Sequence, residues 1–172
     1  MLDQSDALLT IAEVSATFAG FAALVTLFAR RRVAGEAVHD LLRLRLVIGA
    51  SVVAVVAALI PVALAGYGID QVITWRVASA TFLLLLYFTI GSFISVYKPV
   101  KESFSPDRLA VSVAVVLEIF IQIALITVLL GFAAERHYGL YVSALIGTIA
   151  QAAFVFLRLV ESTFRSIIIR PE

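Results

Sequence analysis

"LRLVIGASVVAVVAALIPVALAG", residues 44–66, decides the kind of fold this chain adopts. From Leu46 to Gly66 it holds no charged side chain. Wound as a helix rising 1.5 Å per residue, a run of this length covers the roughly 30 Å hydrocarbon core of a bilayer. Pro61 lies inside the run and is expected to kink it, since proline has no N–H to give the preceding turn. Ala57 and Ala58, just before it, are small enough for a neighbouring helix to fill the bend.

Four further stretches read the same way, at about residues 7–29, 73–97, 109–133 and 138–160. Composition agrees: 62% of the chain is hydrophobic and the mean hydropathy is +1.07, against about 45–50% apolar residues in an ordinary soluble domain. The expected fold class is an all-α integral membrane protein of five transmembrane helices, one polytopic domain over residues 1–172 with the lipid bilayer as its first partner. The acidic start and long apolar run at the N-terminus do not resemble a cleavable signal peptide. No repeat, low-complexity tract or second domain is apparent, so any function is expected to lie between helices.

Helix-boundary signals accompany most spans. Asp3 and Asp6 place negative charge at the start of the first helix, where the dipole favours it, and Arg30, Arg31 and Arg32 close that helix. Gly66 and Gly68 bracket the end of the second and suit left-handed caps. Ser105, Pro106 and Asp107 read as N-cap, first helical residue and first-turn acid of the fourth. "AERH", residues 134–137, leaves room only for an antiparallel hairpin between the fourth and fifth.

Lys and Arg set the expected orientation. Arg30, Arg31, Arg32, Arg43, Arg45, Lys98, Lys101, Arg108, Arg158, Arg165 and Arg170, eleven of the 13 basic residues, fall on one side of a five-span arrangement. Arg76 and Arg136 are left on the other. The rule that basic loops stay in the cytoplasm then puts the N-terminus outside and the C-terminus inside. A four- or six-span arrangement would scatter these charges. Residues 34–43 carry Ala37, Val38, Leu41 and Leu42 at helical spacing against Glu36, Asp40 and Arg43, which reads as a short helix on the inner interface or as a solvated connector. The expected location is the bacterial inner (plasma) membrane.

Several functional classes drop out. The chain has no Cys, so thiol redox relays and thiolate-held metals or clusters are not expected. His39 and His137 fall in predicted loops, Lys98 and Lys101 at the inner edge, and no Asp falls inside a predicted span. That argues against a bis-histidine haem, a retinal Schiff base and an aspartyl protease. No enzyme activity, cofactor, metal or nucleic-acid partner is expected.

What the spans do contain is two carboxylates and two amides. Glu13 lies about 9 Å inside the outer boundary of the first span. Its face continues with Ala16, Thr17, Gly20 and Ala23, a small-residue stripe that lets another helix approach. Arg76, at a compatible depth in the third span, is the simplest ion-pair partner for Glu13. Glu118 lies near the bilayer centre, with Gln122 one turn along its own helix and Gln151 at similar depth on the next. It is either a neutral acid hydrogen-bonded to those amides or a group facing a wet pathway.

Five short-looped helices hardly enclose a water-filled pore alone, and no matching halves suggest an inverted-repeat transporter. A symmetric homo-oligomer would gather one carboxylate per subunit into a ring, and acidic rings favour cations. The sequence therefore points first to a homo-oligomeric, channel-like protein passing small cations or protons. Its ion-pathway candidates are Glu118, Gln122, Gln151 and Glu13, with Ala16, Gly20, Ala23 and Arg76 as helix-packing residues. The alternative is a non-conducting helical scaffold or accessory subunit that binds another membrane protein.

Overall fold

The computed structural model describes residues 2–29, 34–98 and 108–168, with side chains over 4–25, 41–98 and 108–161. These residues form five long α-helices: α1 (Leu2–Ala29), α2 (Ala34–Gly66), α3 (Gln71–Tyr97), α4 (Arg108–Leu129) and α5 (His137–Ile168), with a 3₁₀ turn at Ala134–Arg136 before α5. No strand occurs among them. All five helices are long and apolar enough to cross a membrane, the pattern of an integral membrane protein. The Arg30–Arg32 stop and the Ser105, Pro106, Asp107 start lie outside the described residues.

The ends of the helices follow local chemistry. Gly68 takes the left-handed conformation past the end of α2, at φ 69°, while Gly66 remains the last helical residue. The Asp70 carboxylate then caps α3 by accepting hydrogen bonds from the Val72 and Ile73 N–H groups. α4 stops at Leu129, a turn earlier than hydropathy predicts, because Gly131 at φ 80° reverses the backbone. The Gly131 N–H donates to Val128 O and the Phe132 N–H to Thr127 O, the paired bonds of a Schellman cap. Hydropathy missed this stop because Leu130 and Phe132 are as apolar as the helix they leave.

At the other end of the molecule, residues 34–43 are not a separate interfacial helix. They are the first turns of α2, which runs 33 residues without a break. Nothing between Ala37 and Leu44 disfavours a helix, so the apolar span propagates backwards. At 1.5 Å per residue α2 is about 50 Å long, and its first turns therefore extend beyond a roughly 30 Å hydrocarbon core.

α2 and α5 form the centre. α2 packs against α1, α3 and α5, and α5 against α4, α2, α1 and α3. Pro61 sits in α2 as the sequence requires, and the helix continues through it. Lacking an N–H, Pro61 leaves the carbonyl of Ala57, four residues back, without its helical partner. The Tyr141 hydroxyl of α5 donates to that carbonyl at 2.7 Å. Ala57 and Ala58, both fully buried, make the space.

Around the Tyr141 ring stand Trp75, at 5.3 Å between centroids, and Phe82, at 5.8 Å, with Tyr138 at 5.8 Å from Trp75. These edge-on and tilted arrangements suit aromatic quadrupoles. They tie α3 to α5 behind the proline. Below them Ile121, Ala124, Leu125 and Val128 bring in the inner face of α4.

Candidate functional site

The intramembrane polar residues fall into two groups. The first lies midway along α4, where Glu118 shares a face with the buried Ile121 and Leu125 and is itself half-buried. Gln122, one turn on, donates its amide to the Glu118 carboxylate at 3.0 Å. The Tyr87 hydroxyl of α3 donates to the Gln122 oxygen at 3.5 Å. A short chain of hydrogen bonds therefore runs from α3 to Glu118 through an amide. Tyr87 escaped the sequence reading, although it is the one polar tip in the run from Phe82 to Phe88.

Gln151 reaches α4 without touching the carboxylate. Its amide donates to the carbonyl of Ala114, one turn before Glu118, at 3.3 Å. The structure thus brings Glu118 and Gln122 together as expected and leaves Gln151 one turn away, as a tie between α5 and the α4 backbone.

The second group lies on α1. Leu8, Ala12, Ser15 and Ala22 turn inward and are buried, whereas Glu13, Ala16, Thr17, Gly20 and Ala23 are exposed on the opposite side. A Cβ added at Gly20 would meet nothing within 4 Å. The small-residue stripe is not used for packing inside the five-helix bundle. With Val14, Phe18 and Phe21, Glu13 and Thr17 line a shallow lateral groove of about 320 Å³. Glu13 is nine residues into the apolar span that starts at Gln4, about 13 Å along the helix. Among the described residues no side chain pairs with its carboxylate. The Thr17 hydroxyl bonds only to the Glu13 backbone carbonyl, at 2.8 Å.

The expected Glu13–Arg76 ion pair is not formed. α1 packs on α2 and α5, and α3 lies on the far side of α2, so equal depth did not mean adjacency. Arg76 instead lays its guanidinium over Gly131, in the space a Cβ there would occupy. That places a cation at the carbonyl end of α4, the negative end of the helix dipole. Gly131 is therefore needed twice, once for its backbone conformation and once for Arg76.

His137 also differs from expectation. It is the first residue of α5 rather than a loop residue, is 2% exposed, and neither ring nitrogen has a hydrogen-bond partner. Ser51 and Ser79 carry buried hydroxyls in the same condition. By contrast Ser15 and Thr148 bond to the carbonyls of Ile11 and Ala144 four residues back, the usual resort of a hydroxyl in an apolar helix. Among the described residues no three His, Asp or Glu side chains converge as metal ligands.

Compared with protein-family models, curated proteins and solved structures, the chain matches none of them.

Proposed function

We propose that the chain is a bacterial inner-membrane protein, N-terminus outside and C-terminus inside, that assembles as a symmetric homo-oligomer and passes small cations or protons along an axis lined by α1. The observation that carries this reading is the exposed, unpaired Glu13 carboxylate deep in an apolar span. A carboxylate in that position facing lipid is costly. A face shared by several copies around water would remove that cost, and the ring of carboxylates would select cations. Ala16, Gly20 and Ala23 supply the close helix approach such a ring needs.

This reading moves the pathway from Glu118 to Glu13. Glu118 already accepts from Gln122 within its own helix and faces the α3–α4 seam, which suits a role in holding those helices in register.

A second reading, a non-conducting scaffold or accessory subunit, draws support from the same face. Phe21 is 56% exposed and Leu24 52% exposed beside the groove, and such bulk suits a helix of another membrane protein as well as a lumen rim. Two measurements divide the readings. The first is the mass of the purified chain in nanodiscs; the second is cation flux in liposomes for wild type and Glu13→Gln. A ring with flux that falls in Glu13→Gln supports the pathway. A single copy, or full flux in Glu13→Gln, removes it and leaves the scaffold.

A further inference from the structure

Away from both polar groups, α2 and α3 part at the basic end of the molecule and leave a groove of about 190 Å³. Leu46, Phe88 and Phe93 form its apolar walls, and Gly49 its floor. Arg45 stands at its mouth. The Arg45 guanidinium donates to the Ser92 hydroxyl across the gap, and among the described residues it has no acidic partner. A guanidinium carries five N–H donors, so one bond to a neutral hydroxyl fixes its direction and leaves most of its donors unused.

We infer that this groove binds an anionic phospholipid, with the lipid phosphate on Arg45 and Ser92 and part of one acyl chain lying along Gly49 against Phe88. Depth is the first reason. Arg45 is four residues into the span that begins at Leu41, about 6 Å along the helix, where headgroup phosphates meet the hydrocarbon. Charge is the second. Arg43 and Lys98 stand at this end of α2 and α3 with Arg45, and basic pockets between transmembrane helices are suited to anionic headgroups. Access is the third. Phe88 is 77% exposed, so the groove opens sideways, toward the bilayer rather than along the bundle axis.

The groove also has a built stop. A Cβ at Gly49 would come within 3.0 Å of the Thr89 methyl, which marks where α2 and α3 close again. Phe93 is stacked on Tyr97 at 5.8 Å between centroids, which holds the wall nearest the headgroup. Guanidinium and phosphate match as a fork to two oxygens. The proposal is independent of whether α1 lines a pathway.

The test uses the full chain in detergent, titrated separately with phosphatidylglycerol, phosphatidylcholine and inorganic phosphate, with thermal unfolding as the readout. Phosphatidylglycerol is expected to raise the melting temperature saturably, and phosphatidylcholine and free phosphate are not. Arg45→Gln is expected to weaken the phosphatidylglycerol response by about tenfold, the scale of one hydrogen bond to a charged group. Arg108→Gln, at the same end but outside the groove, is expected to leave it unchanged. An equal response to free phosphate would reduce the site to a simple anion site and overturn the lipid. Equal losses in both variants would reduce it to general attraction by the basic rim. Should Arg45→Gln fail to fold, a photoactivatable acyl chain on phosphatidylglycerol decides the matter in the wild-type protein. Crosslinks at Phe88 or Phe93 support the groove, and crosslinks scattered over α1 and α4 overturn it.

Discussion

The neighbourhood of Pro61 and the outward face of α1 are both places where an apolar helix carries a polar group it cannot satisfy by itself. At Pro61 the orphan is a backbone carbonyl, and α5 answers it with the Tyr141 hydroxyl inside a shell of aromatic rings. On α1 the orphan is the Glu13 carboxylate, and among the described residues nothing answers it. In a solvent without hydrogen bonds, polar groups left over after folding point to whatever completes the protein. The first region tells how the bundle holds together, and the second where its own side chains stop answering.

That contrast can be broken most directly at its satisfied side. Tyr141→Ala removes the ring and the hydroxyl together and is expected to destabilise the subunit by about 3–5 kcal/mol, as for other buried aromatics. A loss below about 1 kcal/mol in reversible unfolding would mean that the aromatic cluster is not the core.

On the open side, Gly20→Leu is expected to leave the melting of an isolated subunit near wild type while lowering the association constant by about tenfold or more. Sedimentation in detergent reads the two effects separately. A subunit that melts much lower with assembly intact would put the stripe inside the bundle after all.

Sharper, though smaller, is a cycle between Tyr141→Phe and Pro61→Ala. Tyr141→Phe is expected to cost about 1 kcal/mol in the wild type, because it leaves the Ala57 carbonyl bare. An alanine at position 61 supplies an N–H to that carbonyl, so in the Pro61→Ala background the same change is expected to cost clearly less. Strict additivity would separate the hydroxyl from the proline.

The α4 group falls between the two regions and calls for a smaller effect. Glu118→Leu is expected to destabilise by about 0.6–1 kcal/mol, the scale of a hydrogen bond within a membrane. Glu118→Gln is expected to be nearly silent in both stability and cation flux. Flux that collapses in Glu118→Gln would return the pathway to α4.

Least of all is expected from His137→Leu. Because neither ring nitrogen is paired, an apolar replacement of similar size is expected to be neutral or mildly stabilising, by up to about 1 kcal/mol. A marked loss in thermal unfolding would reveal a partner for the imidazole.

Some of this was legible in the sequence and some was not, for one physical reason. Hydropathy counts residues along a helix, so the five helices, the space before Pro61 and the one-turn pairing of Glu118 with Gln122 could all be read. Hydropathy does not say which way a residue points. In α4, Ile121 is fully buried while Ile119 and Ile123 are more than half exposed, and lipid welcomes all three alike. Without an amphipathic pattern, the order of helices around the bundle stayed hidden, and so did the separation of Glu13 from Arg76. Two caps are written in the local sequence. Asp70 ahead of Gln71 is a plain N-cap signal, and Gly131 between apolar neighbours is a stop that only backbone chemistry, not hydropathy, announces.

The bond between Tyr141 and Ala57 also sets a clock. Tyr141 follows Ala57 by 84 residues, and at a synthesis rate of about 5–20 residues per second it emerges roughly 4–17 s later. Through that interval the α2 ladder has a gap at the Ala57 carbonyl that no hydroxyl from α5 can close, although Trp75 and Phe82 of α3 have already been made. The second helix therefore waits on the fifth, and a ribosome stalled between them leaves a nascent chain whose central helix is unfinished.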